Sequence, residues 1–237
     1  GSMGTLAVLT EVTVKVLPAP EKQRTIIVPV ADAAAGHGCL ITQLQDAFEI
    51  DGAALLPAAV AGRSSVDLVR GPGSAIAAMR LTGSPVSVAD RCAALRAAVG
   101  RPSEELHSAR SQVLWAEVGE VGSLLPQDGG ALWRLSVPPA SGAQIAAKLA
   151  EGDGWLMDWG GGRLWIVRNQ ESVEDAALVR KAAASVGGHG TLVRGPETLR
   201  QAIDVFPMEV PAALLQRTKA AFDPHGILNP GRMYRDW

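Results

Sequence analysis

Trp155-Leu156-Met157-Asp158-Trp159-Gly160-Gly161-Gly162-Arg163-Leu164-Trp165-Ile166-Val167-Arg168 holds two apolar, aromatic and β-branched runs on either side of three consecutive glycines. Glycine adopts the positive φ that tight reversals demand, so the pattern predicts a hairpin with strands at Trp155–Trp159 and Arg163–Arg168. Ser141–Glu151, with Ile145 and Leu149 on one side, predicts a capped helix before it. Ser172–Val186, closed by Gly187-Gly188, predicts a helix after it. Ala131–Val137 and Thr191–Arg194 read as the outer strands of this unit.

The same order stands upstream. Arg24–Val30 alternates and is β-branched, so it reads as a strand, and Ala31–Ile50 reads as a helix with Leu40, Leu44 and Phe48 as its inner stripe. Ala53–Val60 and Ser74–Leu81 flank the turn signal Gly71-Pro72-Gly73 and are expected to pair as antiparallel strands. Ser87–Gly100, with Ser87 as N-cap, and Ser103–Val118 are expected to be helical. A strand, helix, hairpin, helix order met twice predicts an α+β fold: ferredoxin-like repeats, with an antiparallel sheet and helices on one face.

Composition allows such a core and excludes several functions. The 237 residues are 47% hydrophobic and 19% charged, enough to fill one large domain or two small ones. A net charge of -2 without a basic run argues against nucleic-acid binding. The longest apolar run, Ala53–Ala61, is far below the ~20 residues of a membrane-spanning helix. Gly1-Ser2-Met3 has the form of a protease scar before a start residue. With no secretion signal after it, the expected location is the cytoplasm. Cys39 and Cys92 have neither zinc-ligand nor disulfide spacing and read as small buried hydrophobes.

Two terminal stretches carry more specific information. Pro211–Ala221 reads as an amphipathic helix, and Phe222-Asp223-Pro224-His225-Gly226-Ile227-Leu228-Asn229-Pro230-Gly231 then packs so much turn chemistry together that a partly buried hook is expected. At the other end stands Gly4-Thr5-Leu6-Ala7-Val8-Leu9-Thr10-Glu11-Val12-Thr13-Val14-Lys15-Val16-Leu17-Pro18. Together they resemble the signatures of FAD-linked oxidases of the vanillyl-alcohol oxidase type. In that family a D-P-x-G-I-L-N-P-G hook returns to the flavin, and a G-T-L-G-x-I-T-E-V-T strand ends the FAD-binding domain. Ala7 stands where the second glycine of that strand is found.

The resemblance implies FAD as cofactor, with Gly4, Thr5 and Asn229 beside it. A glycine next to a small hydroxyl residue suits close approach to a diphosphate or ring edge, and an asparagine amide offers both a donor and an acceptor to a pyrimidine-like rim. The resemblance also implies a division of the chain. Residues 1–20 would be a remnant of the last strand of the flavin domain, 21–204 an α+β cap or substrate domain, and 205–237 the helix and hook returning to the flavin. Within the family, Asp158-Trp159-Gly160-Gly161 and Gly188-His189-Gly190-Thr191-Leu192-Val193-Arg194 look most like the FAD-binding subunits of bacterial glycolate oxidases.

Oxidation of a 2-hydroxy acid needs a cation for the carboxylate, a group that takes the hydroxyl proton, and a flavin. Related dehydrogenases carry H-x-G-D-G-N-x-H in the cap as a metal site. The nearest text here, Gly152-Asp153-Gly154-Trp155, lacks both histidines, so no metal ligand and no catalytic residue is assigned. His37 and His189 sit between glycines, a setting that fits a site wall or a surface turn. His225 reads as a solvated helix-end cation and His107 as a helix-surface residue. Arg163 and Arg168 are expected on opposite faces of one strand. Trp155, Met157 and Trp159 share a face, with Trp165 on the paired strand, and fit either cross-strand packing or an aromatic wall.

Two functional readings follow. In the first, the chain is part of an FAD-dependent 2-hydroxy-acid oxidase, inactive and colourless alone. Its partners would be a catalytic flavoprotein subunit and an iron–sulfur subunit, and the complex would be cytoplasmic or peripheral to the inner membrane. Self-association through the Thr5–Val16 edge is expected on the same reading. In the second, it is a non-catalytic electron-relay, ligand-sensing or subunit-docking domain.

Overall fold

A computed structural model describes residues 1–124, 130–149, 154–169, 171–206 and 210–234. Its strands are β1 (Lys22–Val30), β2 (Gly52–Leu56), β3 (Ala75–Gly83), β4 (Glu104–His107), β5 (Ala131–Ser136), β6 (Gly154–Asp158), β7 (Arg163–Arg168) and β8 (His189–Arg194). Helices are α1 (Ala33–Leu44), α2 (Ala58–Ala61), α3 (Asp67–Arg70), α4 (Pro85–Val99), α5 (Ser108–Glu120), α6 (Gly142–Ala146), α7 (Val173–Ala184), α8 (Glu197–Ala202) and α9 (Ala212–Phe222). All eight strands join one sheet in the order β4-β1-β3-β2-β6-β7-β5-β8, with each neighbouring pair antiparallel. Read from each outer edge, both halves follow the same path, so the expected pair of ferredoxin-like units is present, fused edge to edge. This is the α+β fold anticipated from the sequence.

Strand alternation divides the interior into two layers. Ile26, Val28, Leu55, Ala77 and Met79 of the first half, with Trp133, Leu135, Leu164 and Ile166 of the second, form one cluster under α1, α4, α6 and α7. The intervening residues Ile27, Ala54, Leu56, Ile76 and Ala78 form a second cluster, covered by Leu114 and Val118 of α5 and by the short α2 and α3. The repeat helices thus cover one face as expected, and α5 adds a cover on part of the other. Polar side chains fix α5 there: Trp115 Nε1 donates to Thr25 Oγ1 at 2.8 Å, and Thr25 and Ser111 hydroxyls lie 2.7 Å apart.

Local chemistry explains where the elements begin and end. Asp32 caps α1 by accepting the Ala35 N–H at 2.8 Å. In α7, Ser172 and Asp175 form a reciprocal capping box. The expected cap of α4 moves from Ser87 to Ser84, because Pro85 supplies the fixed φ of a first helical position. The strand expected over Ala53–Val60 stops at Leu56, where Pro57 removes a ladder donor and opens α2. Helix α1 stops at Leu44, short of Ile50, while Phe48 and Ile50 still pack on the core from the loop. The helix expected over Ser103–Val118 is corrected at its start. Glu104–His107 pairs with Arg24–Ile27, and Arg24 Nη1 meets Glu105 Oε1 at 2.6 Å, so a sheet edge claims residues whose local pattern favoured helix. Of the helix expected over Ser141–Glu151, α6 forms the first part, and its last two residues lie outside the described ones.

Among the described residues Leu55↔Met157 is the one pairing of β2 with β6, and the shared core and the turn that follows β6 complete the joint between the halves. There His37, at 6% exposure, places Nε2 2.8 Å from the Pro139 carbonyl. A carbonyl only accepts, so Nε2 carries the proton in this contact. Gly161, at φ 106, backs directly onto the same ring and the same carbonyl. His37 is therefore an interior strut and not a surface turn.

Candidate functional site

The hook is built on a single lysine. Lys219, in the last turn of α9, donates through Nζ to Asp223 Oδ2 at 2.5 Å, to the Leu228 carbonyl at 2.8 Å and to the Thr5 carbonyl at 2.8 Å. Asp223 in turn accepts the Ile227 and Leu228 N–H groups at 3.1 and 2.8 Å. The Lys219 bond, then the Leu228 and Ile227 amides, hold the Asp223 carboxyl down to about 2. Gly226 and Gly231, both at positive φ, allow the reversals, and Asn229 itself sits at φ 41. The expectation of a partly buried hook holds at Asp223 and Tyr234, while Ile227 and Asn229 are exposed.

The amino-terminal motif arrives at the same place. Ser2 to Thr5 turn tightly, with Met3 and Gly4 both at positive φ, and Thr5 gives its N–H and its hydroxyl to the Ser2 carbonyl at 2.9 and 2.7 Å. Asn229 Nδ2 lies 3.2 Å from the Gly4 carbonyl and 3.4 Å from that of Met3. A Cβ on Gly4 would stand 2.6 Å from Asn229 Nδ2, so glycine is what lets the two stretches meet. The three residues expected at a cofactor, Gly4, Thr5 and Asn229, are therefore neighbours, although 225 positions separate Gly4 from Asn229. Beyond this turn, Ala7–Pro20 forms no strand. It runs exposed with Val8, Val12, Val14 and Val16 in water, since a strand requires a ladder partner and none lies beside it among the described residues.

Cavities flank the hook. One of about 530 Å3 lies between β5 and β8 and the C-terminal segment, with Arg134, Thr191, Val193, Arg200, Phe206 and Arg232 in its wall. A smaller one of about 190 Å3 lies between Thr5, Leu6, Leu215, Lys219 and Tyr234.

The other candidates fall elsewhere. Arg163 stacks on the Trp159 ring, 3.4 Å from its centroid, and stands 3.9 Å from Asp158. Burial pushes the Asp158 carboxyl up against the pull of the Trp159 N–H and Arg163, and burial also lowers the Arg163 guanidinium. Arg168 instead pairs with Glu171 at 2.9 Å. The tryptophans make no single wall. Trp155 packs on one cluster and Trp165 on the other, while Trp159 leaves the strand at φ 54 and is 60% exposed. His107 ends β4 instead of lying on a helix, His189 opens β8, and His225 is exposed in the hook. Cys92 is buried as expected, with its thiol pushed up to about 11 chiefly by that burial, and Cys39 is half-buried. Among the described residues no group of three His, Cys, Asp or Glu is placed to hold a metal. Gly152 and Asp153 lie outside them. No helix of the described residues is long and apolar enough to cross a membrane.

Sequence reasoning overlooked Lys219 and Arg134. A Lys-to-Asp spacing of four at the end of a helix, just before Pro224, was the available signal for the first. An arginine in the middle of the otherwise apolar run Ala131–Val137 was the signal for the second.

Residues 203–233 match the family described as FAD linked oxidases, C-terminal domain. Over its full length the chain is 28% identical to glycolate oxidase subunit GlcE of Escherichia coli (strain K12), of which it spans 56%. Among solved structures, alkyldihydroxyacetonephosphate synthase aligns with a TM-score of 0.60 and 13% identity, over 96% of this chain and 47% of that one. p-Cresol methylhydroxylase aligns with a TM-score of 0.55 and 14% identity, over 93% of this chain and 54% of that one. These likenesses establish the fold, and the hook and the whole-chain relative carry the relationship further, implying FAD as the cofactor of the whole protein. The chain is similar to the FAD-linked oxidases in fold, and residues 203–233 match the family's C-terminal domain.

Proposed function

We propose that this chain is the C-terminal region of an FAD-dependent oxidoreductase subunit acting on a 2-hydroxy acid, with oxidation of glycolate to glyoxylate as the reaction of the assembled enzyme. The observation that carries the reading is the meeting of the two motifs, which brings exposed Gly4 and Asn229 together while buried Thr5 ties the turn behind them through Ser2 and Lys219. The residues suit the group. Asn229 donates only through long contacts, its Oδ1 bonds to no described residue, and Gly4 leaves the space a Cβ would fill. When bound, FAD accepts the hydride equivalent from the substrate carbon. This chain's part is to hold the Asn229 amide at the flavin edge, with Lys219 and Asp223 keeping the hook from opening.

On this reading 21–204 is the cap domain and 205–237 the return to the flavin. Residues 1–20 are the flavin domain's last strand, which the exposed, alternating Val8–Leu17 supports. The partners are a catalytic flavoprotein subunit and an iron–sulfur subunit, in a cytoplasmic complex that can sit at the membrane periphery. The same exposed apolar run also favours the docking role as a second reading, in which the chain binds other subunits and takes no part in electron transfer.

Asn229→Ala in the complete protein tests the first reading. Loss of a neutral hydrogen bond should weaken FAD retention about two- to tenfold or shift the flavin midpoint, with little change in thermal unfolding. Unchanged affinity and midpoint would return the hook to a purely structural role. Glycolate-dependent dye reduction should require the assembled subunits, and turnover by this chain alone would reject the assembly.

A further inference from the structure

We infer that Arg180 is a positioning residue for the hook: from the helix-covered side of the sheet it fixes residues 203–206, and these set where the hook lies against β5 and β8. Arg180 Nη2 donates to the Asp204 carbonyl, and the guanidinium carbon lies over the Trp133 ring, 5.5 Å from its centroid. Gly190 leaves room for this stack, since a Cβ there would stand 2.8 Å from Leu135 Cδ2, 3.7 Å from the Trp133 ring and 3.9 Å from Arg180 Cγ.

The arrangement is costly for packing alone. Burial pulls the guanidinium below its ordinary value against the opposing charge of Asp204, and Arg180 Nε is buried without a partner. An apolar side chain would cover Trp133 without that cost. What the guanidinium adds is its hold on the Asp204 carbonyl.

That carbonyl belongs to the joint between sheet and hook. Leu192 of β8 donates its N–H to the Val205 carbonyl at 3.0 Å, and Ile203 and Val205 pack on the core cluster that α7 covers. Residues 203–206 then line the cavity of about 530 Å3 together with Gly231, Arg232 and Met233 at the end of the hook, and Phe206 shares a neighbouring cavity with Leu215 and Met233. Helix α9 itself has no buried residue, and Lys219 and Asn229 bond to the amino-terminal turn, not to the sheet. The hook therefore takes its place on the sheet through the segment it lies beside, and Arg180 holds that segment from behind.

The test is Arg180→Met in the isotopically labelled chain, a change that keeps an apolar stem over Trp133 and removes the donor. Exchange of the Leu192 amide should speed up about two- to tenfold, the loss of one hydrogen bond's hold on the segment. Residual dipolar couplings of Ile227 and Leu228 should change relative to those of β5 and β7, because the hook turns against a sheet that stays in place. Arg180→Lys, which retains a charge and a donor, should restore part of both effects. Lys148→Met, which removes a helix-side cation bonded to Ser185, should change neither. If Arg180→Met fails to fold, Arg180→Gln is read in its place. Unchanged couplings and exchange, or a lowered melting temperature with the hook unmoved, would overturn the positioning role. In the complete protein Arg180→Met should weaken FAD retention by about two- to tenfold, and only this arm rests on the function proposed above. A displaced hook with FAD retention unchanged would sink the flavin reading and leave the positioning role standing.

Discussion

The two halves share one topology and differ in what they do with the second face of the sheet. In the first, Ile27, Ala54, Leu56, Ile76 and Ala78 are sealed beneath Leu114 and Val118 of α5. In the second, the corresponding face of β5 and β8 shows Arg134 and Val193 to a cavity, bordered among the described residues by Met3 and the C-terminal segment. One copy of the unit is therefore a closed support. The other is left open next to the residues most suited to a cofactor, and this asymmetry is where function can enter a repeated scaffold.

The sharpest test of that contrast is a pair of truncations, one on each half. Leu114 is fully buried, so Leu114→Ala should cost about 2–5 kcal/mol through lost transfer energy and a residual cavity. Val193, at 44% exposure, already faces the open side, and Val193→Ala should change stability by less than about 1 kcal/mol. Denaturant midpoints would show it. Comparable losses at both positions would mean that the second half is as closed as the first.

A somewhat smaller effect is expected where the halves join. Gly161 sits at φ 106, and a methyl group there would fall on the Pro139 carbonyl and 2.5 Å from His37 Nε2. Backbone strain and overpacking together should make Gly161→Ala destabilising by about 2–4 kcal/mol. A near-neutral result would show that the Leu55↔Met157 bridge and the shared core fuse the two units without the His37 contact.

The repeat itself was legible in the sequence, because strand alternation, glycine turns and the Ser172 cap are local signals that report local structure. What was hidden depends on long-range partners. Glu104–His107 becomes a strand only because β1 lies beside it. Val8–Val16 has an equally good strand pattern and forms none, because no described residue pairs with it. His37, between glycines, fitted a site wall or a surface turn, yet it is Gly161, distant in sequence, that lets the chain close on its ring. At the site, Gly4, Thr5 and Asn229 could be picked out as motif residues. Lys219 and Arg134 left only a spacing and an odd charge as signals, and what the lysine does appears only when the two ends of the chain meet.

The smallest effect concerns the hook, and it separates that element from the sheet behind it. Asp223 is held as a carboxylate by Lys219 and two backbone amides, so its folded value of about 2 lies below the ordinary ~3.9 of an aspartate. A group depressed on folding stabilises above its unfolded value, and the contribution fades as pH falls toward the folded one. The hook should therefore stay closed at pH ~3.5, where an ordinary aspartate is already mostly protonated. The amide shifts of Ile227 and Leu228 should remain at their neutral-pH positions there and move only as the pH approaches 2. Asp223→Asn should displace those shifts at every pH, because an amide oxygen accepts from Lys219 without the charge, while the sheet keeps its dispersion and its melting temperature. A midpoint for Leu228 near ~4, or melting of the sheet together with the hook in Asp223→Asn, would show that Lys219 and Asp223 do not act as the separate clasp their geometry describes.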